Sequence, residues 1–304
     1  MNFINEKIND WKVLNPWTNV YGITRSILAL STFLTLLFNK TEYLFKPAAG
    51  IDSYPFRILD FTLFGFGQDN YLMLTIFKYF ALLILFLVII GWRPRITGIL
   101  HWYIALSVQS DMIVIDGGSQ IAAILTFLLI PITLTDNRKW HWSKLERNNH
   151  THSKIIVFIT YFFIRLQIAI VYFDSVVEKL KVQEWVDGTA VYYFTKDPIM
   201  GFNSVFTMLS NWIVESPFVV LITWLTLLVQ MILVFALVLP KKYWKSILIV
   251  AILMHEVFAL FLGLITFSLT MLGALIIYLV PITDHISLKN LKLYKRGNLN
   301  EKVN

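Results

Sequence analysis

The chain has 304 residues, of which 57% are hydrophobic and only 15% are charged, and its mean hydropathy is +0.65. Because a soluble domain carries about 25% charged residues, this composition excludes a soluble enzyme and a nucleic-acid module and indicates a multi-pass protein in a lipid bilayer. The chain contains no cysteine, which excludes disulfides, thiol nucleophiles, iron–sulfur clusters and thiolate zinc sites. The net charge of +7 therefore reports topology rather than affinity for nucleic acid.

Apolar segments of the chain predict the membrane-spanning helices, each of which needs roughly 20 largely apolar residues. The segments predict an all-α, polytopic membrane helix bundle of about eight transmembrane helices. They are Val20–Phe38, Leu72–Gly91, Thr97–Ser110, Gln120–Thr135, Ile155–Phe173, Phe218–Leu239, Ser246–Leu262 and Thr266–Ile282. The third and fourth segments are shorter than the others.

The distribution of basic residues predicts the orientation. One set of connecting segments holds seventeen lysines and arginines and the other holds six, so the positive-inside rule predicts that both termini are cytoplasmic. We accordingly predict a cytoplasmic or interfacial N-terminus over residues 1–19, a transmembrane domain over 20–282 and a basic cytoplasmic tail over 283–304. The outer segments have a net charge of −6, which favours attraction of a cationic peptide.

Charged residues within the spans are the first candidates for a functional site, because charge at mid-bilayer costs at least about 2.5–3.5 kcal/mol. Arg25 and Lys78 lie within about two turns of a span end, and we expect them to extend toward the membrane surface. Arg165 lies in the middle of a span and must face the bundle or a polar cavity.

The fifth span carries a polar stripe. Arg165, Tyr172 and Lys179 are seven residues apart, so they lie on one helical face. Two interpretations remain open: the stripe lines a cavity that reaches the outer surface, or it is an internal network that holds helices together. Trp185 follows in a segment typical of an interfacial helix.

A histidine and a glutamate lie side by side in the seventh span. His255 and Glu256 form either a proton-handling pair or a structural hydrogen-bonded pair. They are not part of a zinc-binding HExxH motif, because the fifth position is Ala259. His141 and its neighbouring histidines lie in a basic, polar loop without acidic or thiol ligands at metal spacing, and we predict no metal site there.

Several motifs resemble the membrane domain that vitamin K-dependent γ-carboxylase shares with bacterial relatives, the HTTM family, over roughly residues 15–285. The motifs are Arg165-x-Gln, Val171-Tyr-Phe, Glu178-Lys-Leu, Trp185-Val-Asp-Gly, Asp116-Gly-Gly-Ser-Gln, Thr135-Asp-Asn-Arg-Lys-Trp-His-Trp, and His255 followed by Thr266-Phe-Ser-Leu-Thr-Met-Leu. Chain length and the Gly-Gly-Ser-Gln motif most resemble the sporulation-delaying protein B (SdpB) family within that group.

The resemblance implies functional residues. Lys179 matches a lysine that acts as a base in the carboxylase, and His255 matches a second family residue, whereas Glu178 and Gly118 stand where the carboxylase has a lysine and a histidine. A related pocket is therefore expected, with Lys179 and His255 as the catalytic residues. Its cavity would be lined by further polar and aromatic residues, namely Asp116, Arg165, Tyr172, Glu178, Trp185 and Glu256. The implied cofactor is a membrane quinol such as menaquinone.

The family also implies partners and a location. The expected function is maturation of a secreted antimicrobial peptide toxin at the outer face of the bacterial cytoplasmic membrane, with an SdpA-like protein as partner and an SdpC-like precursor peptide as substrate. Two alternative functions remain. The first is a quinol-dependent membrane oxidoreductase or carboxylase, and the second is a non-enzymatic scaffold for the partner.

Overall fold

A computed structural model of the chain describes residues 11, 13–47, 52–55, 59–113, 116–143, 151–197, 201 and 204–286. The predicted tail beyond residue 286, most of the predicted N-terminal segment and His150 lie outside these residues. The described chain is α-helical, and within it an isolated antiparallel bridge joins Trp92 to Trp140. The predicted all-α fold class is confirmed.

The helices follow the predicted order. The first half of the chain contains α1 (Asn19–Phe38), α2 (Thr41–Leu44), a 3-10 turn at Gly65–Gly67, α3 (Tyr71–Ile89), α4 (Pro94–Asp111) and α5 (Gly117–Thr135). The second half contains α6 (Thr151–Leu180), α7 (Gln183–Val186), α8 (Ala190–Lys196), α9 (Ser204–Val214), α10 (Phe218–Phe235), a 3-10 turn at Lys241–Tyr243, α11 (Trp244–Leu262) and α12 (Ile265–Leu279).

Each of the eight predicted spans coincides with one of these helices. Among the described residues, six helices are long and apolar enough to cross a membrane, namely α1, α3, α5, α6, α10 and α11 with its preceding turn. Many of their large apolar side chains are exposed, as expected for helices that face lipid. The chain is thus a multi-pass membrane protein. The count of eight stays a prediction, because α12 has only 15 residues and α4 is more polar.

Helix α6 differs most from the prediction. The predicted span ends at Phe173, but the helix continues to Leu180 and has 30 residues. At 1.5 Å per residue it is about 45 Å long, longer than the roughly 30 Å hydrocarbon core. Asp174, Glu178 and Lys179 are therefore helical residues, in agreement with the helical face predicted for Tyr172 and Lys179.

The chain divides into two compact units, residues 1–164 with 280–304, and residues 165–279. In the first unit, α1, α3 and α4 pack around a core that includes Leu36, Leu85 and Ile104. The segment before α3 covers part of this core, since Phe45 and Phe64 are fully buried and their rings lie 4.6 Å apart.

Helices α4 and α5 pack closely in the same unit. A Cβ atom at Gly98 would lie 2.3 Å from Oγ1 of Thr133, so only glycine permits this approach. Between α3 and α4 the backbone turns sharply through Gly91, whose φ is +86°.

In the second unit, α11 packs against α10 and α12. The short helices α7 and α8 pack on α10, where Trp185, Ala190 and Leu227 form a small buried cluster. The backbone N–H of Val191 donates to Oγ1 of Thr223 on α10, 3.4 Å away. This packing places the predicted interfacial segment beside the end of α6.

Candidate functional site

A polar cluster in the second unit contains four of the predicted site residues. Tyr172 and Lys179 lie two turns apart on one face of α6, His255 lies on α11, and Trp185 lies on α7. The hydroxyl of Tyr172 lies 3.1 Å from Nε2 of His255. Nζ of Lys179 lies 5.4 Å from the centroid of the Trp185 ring, and Lys179 shares its face of α6 with Tyr172, the partner of His255. We call these four residues the α6–α11 cluster.

Lys179 is held in place by neutral groups. Its Nζ donates to Oγ of Ser175 at 2.6 Å and to the backbone oxygen of Ser175 at 3.3 Å. Oγ of Ser175 in turn donates to Oε1 of Gln230 on α10 at 3.4 Å. No carboxylate among the described residues lies within ion-pair distance of Lys179. The lysine is thus oriented by hydrogen bonds without an anion to balance its charge.

The polar atoms of His255 are not all partnered. The residue is only 3% exposed, and its Nδ1 has no hydrogen-bond partner in the described part of the chain. The rings of Phe258 and Phe267 lie edge-on to the imidazole, with centroids 6.1 and 5.7 Å away. A buried, unpartnered nitrogen costs free energy unless a ligand or water completes it, so Nδ1 of His255 is an unused polar atom.

Ser175 and Gln230 were not predicted from the sequence. Gln230 offered a usable signal, because it interrupts an otherwise apolar or threonine-containing α10, and an amide within a span needs a polar partner.

Arg165 lies on the same face of α6 but has a different environment. Its Nε donates to the backbone oxygen of Tyr278 at 3.0 Å, and its Nη2 donates to that of Ala236 at 3.3 Å. The guanidinium also lies over the Trp244 ring, 4.1 Å from its centroid. These contacts connect α6 to α11, α12 and the end of α10. At Arg165, therefore, the second interpretation of the polar stripe is favoured: the residue holds helices together.

His255 and Glu256 do not form a pair. Adjacent residues on a helix point about 100° apart, and Glu256 is exposed where His255 is buried. Oε1 of Glu256 accepts a hydrogen bond from Ser268 of α12 at 2.9 Å. No hydrogen bond joins the two side chains in the described chain, and Glu256 connects α11 to α12.

Two other predicted site residues have local partners. Asp116 belongs to the first unit and caps α5, because its Oδ1 accepts from the backbone N–H of Ser119 at 3.0 Å. Glu178 is exposed and pairs with Lys181 at 2.5 Å. Neither contact shows a role in binding, and their predicted cavity roles remain untested.

Arg25 does not extend out of the fold as expected, whereas Nζ of Lys78 reaches the residue that follows α1. Arg25 is fully buried in the first unit, where its guanidinium donates to Oγ1 of Thr97 and lies 3.4 Å from Nδ1 of His141. Lys78 is also buried, and its Nζ donates to the backbone oxygen of Asn39 at 2.6 Å. Each cation donates hydrogen bonds within the fold, while Nε of Arg25 has no partner among the described residues.

His141 is buried rather than exposed in a polar loop. Its ring lies against Gly22 and Gly91, and a Cβ at Gly91 would meet it at 2.4 Å. Arginine only donates, so Nδ1 must accept, and Nε2 carries the proton toward Oγ of Ser26 at 3.5 Å. Burial, followed by the charges of Arg25 and Arg138, holds the pKa of His141 well below its usual range. Within the described chain no group of three histidine, aspartate or glutamate side chains is arranged to hold a metal ion.

Comparison with known proteins identifies the family. The chain is 39% identical to the sporulation-delaying protein SdpB of Bacillus subtilis (strain 168) over 275 residues, which cover 90% of this chain and 85% of SdpB. The chain belongs to the SdpB family. It is also 57% identical over 284 residues to the uncharacterized protein YitO of the same organism, with 93% of this chain and 92% of YitO covered.

The wider resemblance to the HTTM and γ-carboxylase group is not shown by these comparisons. No family model matches the chain, and no solved structure matches it. The base role of Lys179 and the quinol cofactor, which depend on that resemblance, therefore remain proposals.

Proposed function

We propose that this SdpB-family chain is a maturation factor for a secreted antimicrobial peptide toxin. It acts in the bacterial cytoplasmic membrane, together with an SdpA-like protein, on an SdpC-like precursor at the outer face. The observation that supports the proposal is the α6–α11 cluster, where Lys179 has no carboxylate partner and Nδ1 of His255 has no hydrogen-bond partner among the described residues.

The position of the cluster supports the proposal. Lys179 is one residue from the C-terminal end of α6, the end that the basic-residue distribution places outside. A secreted precursor arrives at that side. The carboxylates of Asp174 and Glu178 are exposed. Their negative charges attract basic residues of a peptide, and salt weakens this attraction.

The chemistry available to the cluster is proton transfer and polarisation of a carbonyl group. Lysine and histidine both donate and accept protons, and Tyr172 orients the imidazole. In this proposal Lys179 and His255 contact the precursor, Trp185 lies beside them, and Arg165 stabilises the helices that carry them.

Replacement of Lys179 tests the proposal. Lys179→Ala removes the charge and the proton-transfer group, and we expect active toxin to fall about 100-fold or more while the protein level in the membrane stays normal. The assay measures toxin activity in a naive host that expresses precursor, partner and variant. Lys181→Ala is the matched control, because Lys181 is exposed and pairs only with Glu178, and such surface pairs contribute little. Full toxin output from Lys179→Ala would refute the proposal.

Quinol-dependent modification is a second candidate function. It is favoured by the aromatic rings of Trp185, Phe258 and Phe267 around two hydrogen-bonding side chains, a lining that suits an aromatic ring with oxygen substituents. Such a group would supply redox chemistry, while Lys179 and His255 would hold its oxygens. The intact mass of the mature peptide distinguishes cleavage from modification, since a mass explained by cleavage alone contradicts modification. Quinone in lipid extracts of the purified protein would support it.

A scaffold for the SdpA-like partner predicts a different pattern. Under that function, Lys179→Ala and His255→Phe leave toxin output unchanged, and only changes in the connecting segments abolish co-purification of the partner. The same variant set therefore separates the scaffold from the maturation factor.

A further inference from the structure

Two connecting segments of the first unit are joined by the bridge between Trp92 and Trp140. Within it, the backbone N–H of Arg93 donates to the backbone oxygen of Lys139 at 2.7 Å. The first segment follows α3 and the second follows α5, and both helices are long and apolar enough to cross a membrane. We therefore expect the bridge to lie at the membrane surface, at the level of the lipid headgroups.

The bridge brings together positive charge that no carboxylate balances. Arg93, Arg95 and Lys139 are exposed, and none of them forms an ion pair within the described ranges. Asp136, the carboxylate of the second segment, is buried and accepts two hydrogen bonds of 2.8 Å from Arg138. Because Arg93 and Lys139 are neighbours across the bridge, their like charges repel each other. An anion bound at the bridge removes this repulsion.

The backbone at Arg93 adds a second unusual feature. Its φ is +38°, in the left-handed region that glycine adopts readily and that other residues rarely adopt. Arginine is therefore strained at this position, and the residue type is not explained by backbone preference. A role for the exposed guanidinium explains why an arginine is placed there.

Tryptophan rings accompany the cations. Trp142 is 48% exposed, and its indole N–H donates to the backbone oxygen of Ile90 at 2.9 Å. Trp92 and Trp140 are half-buried. Tryptophan is enriched at the headgroup level of membranes, because its ring is apolar and its N–H is polar. Cations next to such rings favour a lipid over a soluble anion.

We propose that Arg93, Arg95, Lys139 and Trp142, together called the bridge patch, bind the headgroups of anionic phospholipids. The guanidinium and ammonium groups donate hydrogen bonds to phosphate oxygens, while the indole ring packs beside the lipid. The distribution of basic residues predicts that the patch faces the cytoplasm, where the leaflet surface is negatively charged. This lipid contact is independent of the proposed maturation function.

Lipid titration tests the bridge patch. The full-length protein in a neutral detergent is titrated with phosphatidylglycerol or phosphatidylcholine, and native mass spectrometry counts the bound lipids. We expect phosphatidylglycerol to bind more tightly. A variant that lacks all three charges should bind it about 100-fold more weakly, since each basic residue contributes roughly fivefold. This variant combines Arg93→Gln, Arg95→Gln and Lys139→Gln.

A matched control removes the same charge from exposed positions elsewhere in the chain. It combines Lys40→Gln, Lys46→Gln and Lys181→Gln, and it should bind phosphatidylglycerol as the wild type does. Equal weakening in the two triple variants would overturn the proposal, because it would show that net charge rather than the bridge patch attracts the lipid.

Arg93→Gly separates lipid binding from folding. Glycine removes the charge and also the backbone strain, so phosphatidylglycerol binding should weaken about fivefold without a lower unfolding temperature in phosphatidylcholine nanodiscs. Unchanged lipid binding in this variant would contradict the role of Arg93.

Inorganic phosphate distinguishes a lipid headgroup from a soluble ligand. Phosphatidylglycerol in the nanodisc should raise the unfolding temperature of the wild type, and inorganic phosphate added to phosphatidylcholine nanodiscs should not. Equal stabilisation by inorganic phosphate would assign the bridge patch to a soluble anion and overturn the lipid proposal.

Discussion

The hydroxyl of Tyr172 and Nε2 of His255 lie 3.1 Å apart and connect the last third of α6 to α11. Both side chains are buried, with 2% and 3% of their surfaces exposed. This contact fixes the orientation of the imidazole, and through it the direction of Nδ1.

Tyr172→Phe tests this contact. The phenyl ring preserves the packing but removes the hydrogen bond, and we expect the second unit to lose about 1 kcal/mol of stability, as measured for hydrogen bonds between membrane helices. Toxin output per folded protein should fall, because no hydroxyl then holds the imidazole of His255 in place. The ¹⁵N chemical shifts of labelled histidine report the tautomer. Unchanged shifts would show that Tyr172 does not set it.

Arg165→Lys separates structural from chemical roles along α6. A lysine cannot reproduce the planar guanidinium that reaches two carbonyls and stacks on Trp244, so the exchange is not conservative. We expect a loss of about 1–3 kcal/mol, measured as a lower unfolding temperature, with normal toxin output per folded protein. Lys179→Arg should show the opposite pattern. Loss of specific output with unchanged stability in Arg165→Lys would place Arg165 in the chemistry.

Gly91→Ala tests the contact with His141. Gly91 and Gly263 both have positive φ, +86° and +72°, so alanine is strained at either position, by about 1–2 kcal/mol. At Gly263 nothing lies within 4 Å of the new Cβ, whereas at Gly91 the His141 ring would lie 2.4 Å away. We expect Gly91→Ala to cost about 1–3 kcal/mol more than Gly263→Ala. Equal unfolding temperatures of the two variants would contradict the close contact between Gly91 and the His141 ring.

His141 predicts a pH dependence of stability. The folded-state pKa lies below the unfolded value of about 6.5, so the unfolded chain takes up a proton that the folded chain does not. Stability is therefore fully present above about pH 6.5 and is lost as the pH falls below it, by about 1 kcal/mol at pH 5.5. Thermal unfolding between pH 7.5 and 5.5 measures this slope. His141→Gln should flatten it, and replacement of the exposed His152 should not.

Much of the fold could be predicted from the apolar segments. All eight coincide with helices, because the hydrocarbon core requires long apolar stretches whose backbone groups bond internally. The end of α6 could not be predicted in this way. Hydropathy reports where lipid ends, not where helical hydrogen bonds end, and Asp174–Leu180 continues the helix without being apolar.

The site was predicted in part. Seven-residue spacing placed Tyr172 and Lys179 on one face, and both join the α6–α11 cluster. Spacing along one helix does not say which partner each residue meets. Arg165 therefore contacts carbonyl groups two turns away from Tyr172. Ser175 contacts Lys179 within α6, but its contact with Gln230 depends on how α10 packs.

The ends of the described chain meet in the first unit. The Asn19 side chain donates to the backbone oxygen of Ile286 at 2.6 Å and accepts from its N–H at 2.9 Å, and Thr18 donates to the oxygen of Ile282 at 2.6 Å. Residues 18–19 and 282–286 therefore lie together, and we expect them at one face of the bilayer. Two segments at the same face are joined by an even number of crossings. We therefore expect an even number of spans between them, whichever face it is and however long each crossing helix is.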